Sequence, residues 1–156
     1  MLFRSGNPET YRYIHIVAHG TKIALEPMDS AIILSPDADH SYKLYARDIA
    51  NLKHPLQAEV VTITSCDSAG TSINDLGGPI GLMWAFMHAG AHQVVAALWK
   101  VDDAATPQLM DQFYRELAKG KAASEALRNA KLAMLRARGP HRQPFYWAAF
   151  QLYSRS

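Results

Sequence analysis

The chain of 156 residues is 49% hydrophobic and 19% charged, enough for one domain with its own core and unlike a disordered segment. A net charge of +2 is too mild to imply nucleic-acid binding, and no apolar run reaches the roughly 20 residues that cross a membrane. One cysteine excludes an intrachain disulfide, and the opening "MLFRSGNPETYRY" has no apolar centre of the signal-peptide kind, so a soluble cytoplasmic protein is expected.

"YIHIVAHG" (13–20) reads as a short buried strand running into a glycine turn. "AIILS" (31–35) and "SYKLYA" (41–46) flank the polar "PDADH" and suggest a hairpin or small excursion, followed by a short helix over "ARDIANL" (46–52) that Pro55 stops. "EVVTITS" (59–65) is β-branched and strand-like. "GPIGLMWAFMHAGA" (78–91) reads as a helix opened by Pro79 and ended by Gly90, and "HQVVAALW" (92–99) as another strand. Thr106 fits an N-cap with Pro107 in the first helical position, and Leu109, Met110, Phe113, Tyr114 and Leu117 form one apolar stripe that Gly120 terminates. A second helix over 124–138 carries a solvated face with Arg128, Lys131, Arg136 and Arg138, and "WAAFQLYS" (147–154) closes the chain as a strand. Strands alternating with helices predict an α/β sandwich around a largely parallel sheet, whose sites form outside the carboxyl ends of the strands.

Two strands end in chemically capable residues, one at His19-Gly20 and one at Cys66 in "VVTITSCDSAG" (60–70). The segment between them is long enough for a crossover, so the strands can lie parallel and adjacent with His19 and Cys66 at one edge of the sheet. An imidazole beside a thiol lowers its pKa or takes its proton, and later protonates a leaving amine. The backbone N–H groups of Gly20 and Cys66 are candidate oxyanion donors, and glycine at 20 lets the backbone approach a substrate closely. The alternative reading of these residues is a buried cysteine acting as a small hydrophobe, with an unrelated histidine.

The stretches "YIHIVAHG", "VVTITSCDSAG", "GLMWAFMHAGAHQVVAALWKVDDAAT", "FYRELAKGKAASEALRNAKLAM" and "PFYWAAFQL" together resemble the CHAT domain, a caspase-like family often found beside tetratricopeptide repeats in bacteria. They cover most of residues 13–153, and residues 1–156 read as a single domain of this type. The resemblance implies a three-layer α/β/α sandwich with a mostly parallel sheet, similar in fold to caspases and separase. It implies a cysteine endopeptidase of the Cys/His dyad type, with His19 as general base and acid, Cys66 as nucleophile, and Gly20 and Cys66 as oxyanion donors. No metal or organic cofactor is required. In caspase-like domains two further strands usually precede the strand that ends in the histidine, and here only about a dozen residues do. The chain therefore reads as the C-terminal part of such a domain, lacking the first strands, with "YIHIV" as an exposed edge through which two copies could pair. The expected partners are a protein or peptide substrate, a tetratricopeptide-repeat or other regulatory partner, and a second copy, with no nucleic acid and no membrane.

Several other residues take two readings. Asp102 and Asp103 follow the strand at 92–99; either could favour Arg or Lys before the cut, but acids at a helix start also favour its positive end, and that second reading carries more weight. Trp99 either lines the same pocket or packs in the core. Asp67 either assists substrate binding or is a solvated loop acid, and Asp75 with Gly77-Gly78 lies on the loop after Cys66. His15 reads as a packed histidine rather than a second base. His40, His54, His88, His92 and His141 have no persuasive role, and no pair has convincing metal spacing. There is no Walker-type phosphate loop. Two further function classes stay open: a non-catalytic interaction or regulatory module with an unassembled dyad, and a thiol amidase that does not cut proteins.

Overall fold

The computed structural model describes residues 7–21, 26–36, 40–64 and 77–155, without the side chains of 77–80. Strands β1 (Tyr13–Ile16), β5 (Val60–Ile63), β6 (Gln93–Ala97) and β7 (Phe150–Ser154) form one sheet in the order β1-β5-β6-β7. The first three run parallel and β7 runs antiparallel to β6. A second, antiparallel sheet in the order β2-β3-β4 joins β2 (Gly20–Thr21), β3 (Ala31–Ile33) and β4 (Lys43–Tyr45). Helices α1 (Ala46–Ala50), α2 (Gly77–His88), α3 (Ala105–Ala118) and α4 (Ala123–Arg136) are the described α-helices, with short 3-10 turns at Pro8–Thr10, Pro27–Asp29, Pro140–Arg142 and Pro144–Tyr146. This is the expected α/β class with a mostly parallel central sheet.

Side-chain alternation along the strands sorts the core into two layers. Ile14, Ile16, Val61, Ile63, Val94 and Ala96 face one way and pack with α1, α2 and the small sheet. Val60, Val95, Ala97 and Phe150 face the other way and meet Leu109, Phe113 and Leu117 of α3 and Leu127, Ala130 and Met134 of α4. β5 is buried along its whole length because both layers cover it, which suits its β-branched run. Phe86, Phe113 and Phe150 are fully buried, and each contributes on the order of 1.5–3 kcal/mol of burial. β1 lies at the sheet's edge: among the described residues it pairs with β5 alone.

Local hydrogen bonds fix the helix ends. α3 does not start at a Thr106 cap. The Asp102 carboxylate accepts from the N–H groups of Ala104 and Ala105 at 3.0 and 2.8 Å, and the Asp102 carbonyl accepts from Thr106 at 2.9 Å. The chain is thus already helical at Thr106, whose Oγ1 is buried without a hydrogen-bond partner. Pro107 sits within the first turn of α3, next to Thr106. Gly77 and Gly78 open α2 rather than preceding it. Two helices end in paired bonds that need a left-handed residue. At the end of α2, Gly90 donates to the Met87 carbonyl and Ala91 to that of Phe86; after α3, Gly120 donates to Leu117 and Lys121 to Glu116. Their φ angles are +114° and +80°.

A buried carboxylate joins α3 to α4. Glu116, 7% exposed, accepts from Asn129 of α4 at 2.9 Å and from Lys119 at 2.5 Å. These bonds, from Lys119 first and then Asn129, hold the carboxyl below its ordinary value of 4.5.

Two measurements follow from these ends and links. A Cβ on Gly90 would meet the Leu56 carbonyl oxygen at 2.6 Å, whereas one on Gly120 would meet nothing within 4 Å. Gly120→Ala should therefore cost about 1 kcal/mol of left-handed strain, and Gly90→Ala about 2–3 kcal/mol or more, read from urea midpoints. Equal losses would mean that the Leu56 contact is not limiting. Between the depressed folded pKa of Glu116 and its ordinary value the unfolded state binds more protons, so stability rises with pH there. The Glu116 contribution is present above about pH 4.5 and is lost as pH falls through the folded value; Glu116→Gln should flatten that acid limb in thermal unfolding.

Candidate functional site

The candidate site lies where the parallel strands β1 and β5 run out. Their pairing puts Tyr13 opposite Val60 and Ile16 opposite Ile63, a constant offset of 47 residues. The Thr64 N–H continues the ladder by donating to the Ile16 carbonyl at 3.0 Å. His19 lies three residues after Ile16, and Cys66 lies three after Ile63 in the sequence. Cys66 and Asp67 fall outside the described residues, as does Asp75.

His19 is exposed, and its backbone is anchored to the small sheet: its carbonyl accepts from the Ile33 N–H at 2.7 Å. Gly20 is buried and stands opposite Ile32. In an antiparallel ladder that bond pattern makes Gly20 and Ile32 a non-hydrogen-bonded pair, so the Gly20 N–H points away from β3. Val17, between the strand and His19, is 76% exposed.

The side of β1 that faces α3 is polar. His15 projects from it with its Nε2 at 3.2 Å from the Thr64 Oγ1, and its ring lies 5.4 Å from that of Tyr114 in α3. The Tyr114 hydroxyl donates to the Thr62 Oγ1 at 2.9 Å. Thr64 is 3% exposed and also donates through its hydroxyl to the Ile16 carbonyl at 3.3 Å. His15 keeps contact with solvent, yet desolvation against its neighbours pushes its pKa below the usual imidazole value. Burial likewise raises the Tyr114 hydroxyl, with the Thr62 bond opposing. His15 is therefore a hydrogen-bonded histidine at the margin of the layer, not a core one. Thr62 and Thr64 carry no signal in the sequence beyond their β-propensity, and Tyr114 reads there as one member of an apolar stripe.

The residues after β6 are drawn into structural bonds. The Trp99 Nε1 donates to the Phe145 carbonyl at 3.1 Å and its ring packs against the α3–α4 core layer. The Asp102 carboxylate caps α3, and Asp103 is exposed on the same turn. Of the remaining histidines, His88 stacks on Trp84 with centroids 4.6 Å apart, and His141 bonds Gln108 at 3.3 Å. Among the described residues, no three His, Cys, Asp or Glu side chains gather as a metal site, and no helix is long and apolar enough to cross a membrane.

Tetratricopeptide repeat protein 28 of Homo sapiens is 32% identical over 109 residues, 70% of this chain and 4% of that protein. Its counterpart in Mus musculus is 26% identical over 148 residues, 95% of this chain and 6% of that protein. The chain thus spans a small part of these curated relatives. Both are mammalian, so they lend no support to the bacterial setting that the sequence resemblance suggests. The family model described as the CHAT domain matches residues 3–155, nearly the whole chain. On that match, the chain belongs to the CHAT-domain family, related to the caspase-like peptidases.

Proposed function

We propose that the chain is a cysteine endopeptidase of the caspase-like class, acting through His19 and Cys66. The observation that carries this reading is the register of β1 against β5. Its offset of 47 residues equals the sequence separation of His19 from Cys66, and each of the two follows the paired positions Ile16 and Ile63 by three residues of sequence. His19 would take the thiol proton, and the thiolate would attack a peptide carbonyl. The Gly20 N–H, turned away from β3, and the N–H of Cys66 would receive the oxyanion. His19 would then protonate the leaving amine, and water would hydrolyse the acyl-enzyme with His19 as base.

The same reading puts the substrate near Asp67, Trp99, Asp102 and Asp103. Asp102 serves the start of α3, so the exposed Asp103 is the better candidate for favouring a basic residue before the cut. We place the domain in the cytoplasm, with a tetratricopeptide-repeat segment or another regulatory protein as partner, and with the open edge of β1 as a route to self-association. A second reading has an observation of its own. These relatives are named for their tetratricopeptide repeats, and the matched segment is 4–6% of their length, which suits a non-catalytic docking or regulatory module.

Cleavage of a peptide library by the purified chain, beside its Cys66→Ala variant, decides between them. Cys66→Ala should abolish cutting, and His19→Ala should lower turnover by about a hundredfold or more. Turnover that survives Cys66→Ala would falsify the thiol mechanism, and no cutting by either form would favour the docking module. Asp102 needs a variant that keeps the helix start. Asp102→Asn preserves an acceptor for Ala104 and Ala105, so it should leave both stability and cleavage preference unchanged, whereas Asp102→Ala should lose about 1 kcal/mol of stability. A changed preference with Asp102→Asn would return that carboxylate to the substrate pocket.

A further inference from the structure

We infer that Thr64 and His15 are positioning residues whose side chains tie the outgoing end of β1 to that of β5, and so fix His19 for the proposed dyad. The inference rests on that dyad reading and adds the device that holds it in place.

The Thr64 hydroxyl has one proton, and it goes to the Ile16 carbonyl. Toward His15 the oxygen can then only accept, so His15 Nε2 carries the N–H and donates. Ile16 is the last residue of β1 and Thr64 the first after β5. Its carbonyl takes two bonds from Thr64, one from the N–H at 3.0 Å and one from the hydroxyl at 3.3 Å. Among the described residues, these bonds join the two strands at the ends that lead in sequence to His19 on one side and Cys66 on the other. From the other direction the His19 carbonyl is held by Ile33, so His19 is fixed on both sides.

The residue types support a purpose beyond packing. Val60, one turn of the pleat earlier on the same face as Thr62 and Thr64, is apolar. Valine at 64 would have the shape of threonine and would need no partner, whereas a hydroxyl at 3% exposure must be satisfied. His15 is satisfied by that hydroxyl and braced by Tyr114, which itself bonds Thr62. The polar set therefore sits on the two strands that carry the dyad, at the end from which it is presented. A displacement of about 1 Å between a base and its partner can cost on the order of a hundredfold in rate.

The lone cysteine makes a direct test possible, because alkylation by iodoacetamide reads one thiol whether or not peptides are cut. The rate against pH gives the thiol midpoint, which a working dyad sets below about 8.5. His19→Ala should raise the midpoint. Thr64→Val should raise it as well, slowing alkylation at pH 7 by about tenfold while leaving the rate at full ionisation unchanged. Thr64→Ser and His15→Gln keep the donors and acceptors and should restore the wild-type profile; His15→Phe should resemble Thr64→Val. If Thr64→Val does not fold, the His15→Phe and His15→Gln pair carries the decision, since His15 is at the surface. A midpoint moved by His19→Ala but by neither Thr64→Val nor His15→Phe overturns the clamp and leaves the dyad standing. A shift that Thr64→Ser fails to restore also overturns it, because shape and not the hydroxyl is then responsible. A midpoint unmoved by His19→Ala overturns the dyad and the clamp together.

Discussion

Everything at the candidate site depends on the parallel pairing of β1 with β5. Closing a loop of 47 residues costs roughly 3 kcal/mol in chain entropy beyond a constant, and a four-residue parallel ladder is a weak means of offsetting that alone. The offset comes from burial. Ile14 and Ile16 insert into the layer formed with Val61, Ile63, Val94 and the apolar side of α2. The strand is therefore held by one face, through side chains that alternate with the polar residues of its other face. Register follows from the same fact, because a slip of one residue would turn His15 into the core and Ile16 out of it.

The two faces of the sheet are unequally covered, and the inequality falls on β1. α3 and α4 pack over β5, β6 and β7, where Phe113 and Phe150 are fully buried. Over β1 that layer gives way to Tyr13, His15 and the exposed Val17, with Tyr114 of α3 against the His15 ring. Polar pairs can exist there because solvent is close and each hydroxyl finds a hydrogen-bond partner. The opposite face stays apolar up to Ile16 and continues into Ile32 and Leu44 of the small sheet, which anchors the segment containing His19. A rigid apolar side and a hydrogen-bonded polar side thus meet at the strand end.

What the sequence discloses follows from the range of each signal. The strands that begin at 13, 60 and 93 and the helices that begin at 105 and 123 announce themselves by period and by β-branched content, and the 47-residue separation of His19 from Cys66 in the sequence matches the register of β1 on β5. β2 is two residues long, too short to carry a period, so the three-stranded sheet is visible in the sequence only as a hairpin. The start of α3 is ambiguous for a chemical reason: Asp102 and Thr106 are both capping types, and four residues separate them. Geometry decides it, since the Asp102 carboxylate reaches two free N–H groups and leaves Thr106 inside the turn. The bond from His15 to Thr64 crosses 49 residues of chain and links two side-chain types that occur everywhere. No local pattern encodes it; it becomes visible only when the register is known.

The edge position of β1 has a consequence for how such a site can be governed. An edge strand held by one neighbour and one apolar face belongs to the part of a fold that opens most easily. His19 sits just beyond that strand, so its position is only as stable as the strand itself. Any segment that pairs with the open edge binds the closed form in preference to the opened one and stabilises it in proportion to its occupancy. The coupling would be reciprocal: on the proposed dyad, a substrate that engages His19 would equally favour whatever covers the edge. On the proposed dyad, covering the edge of β1 and ordering the site would be linked through the sheet, by way of the bonds that Thr64 makes to Ile16 and His15.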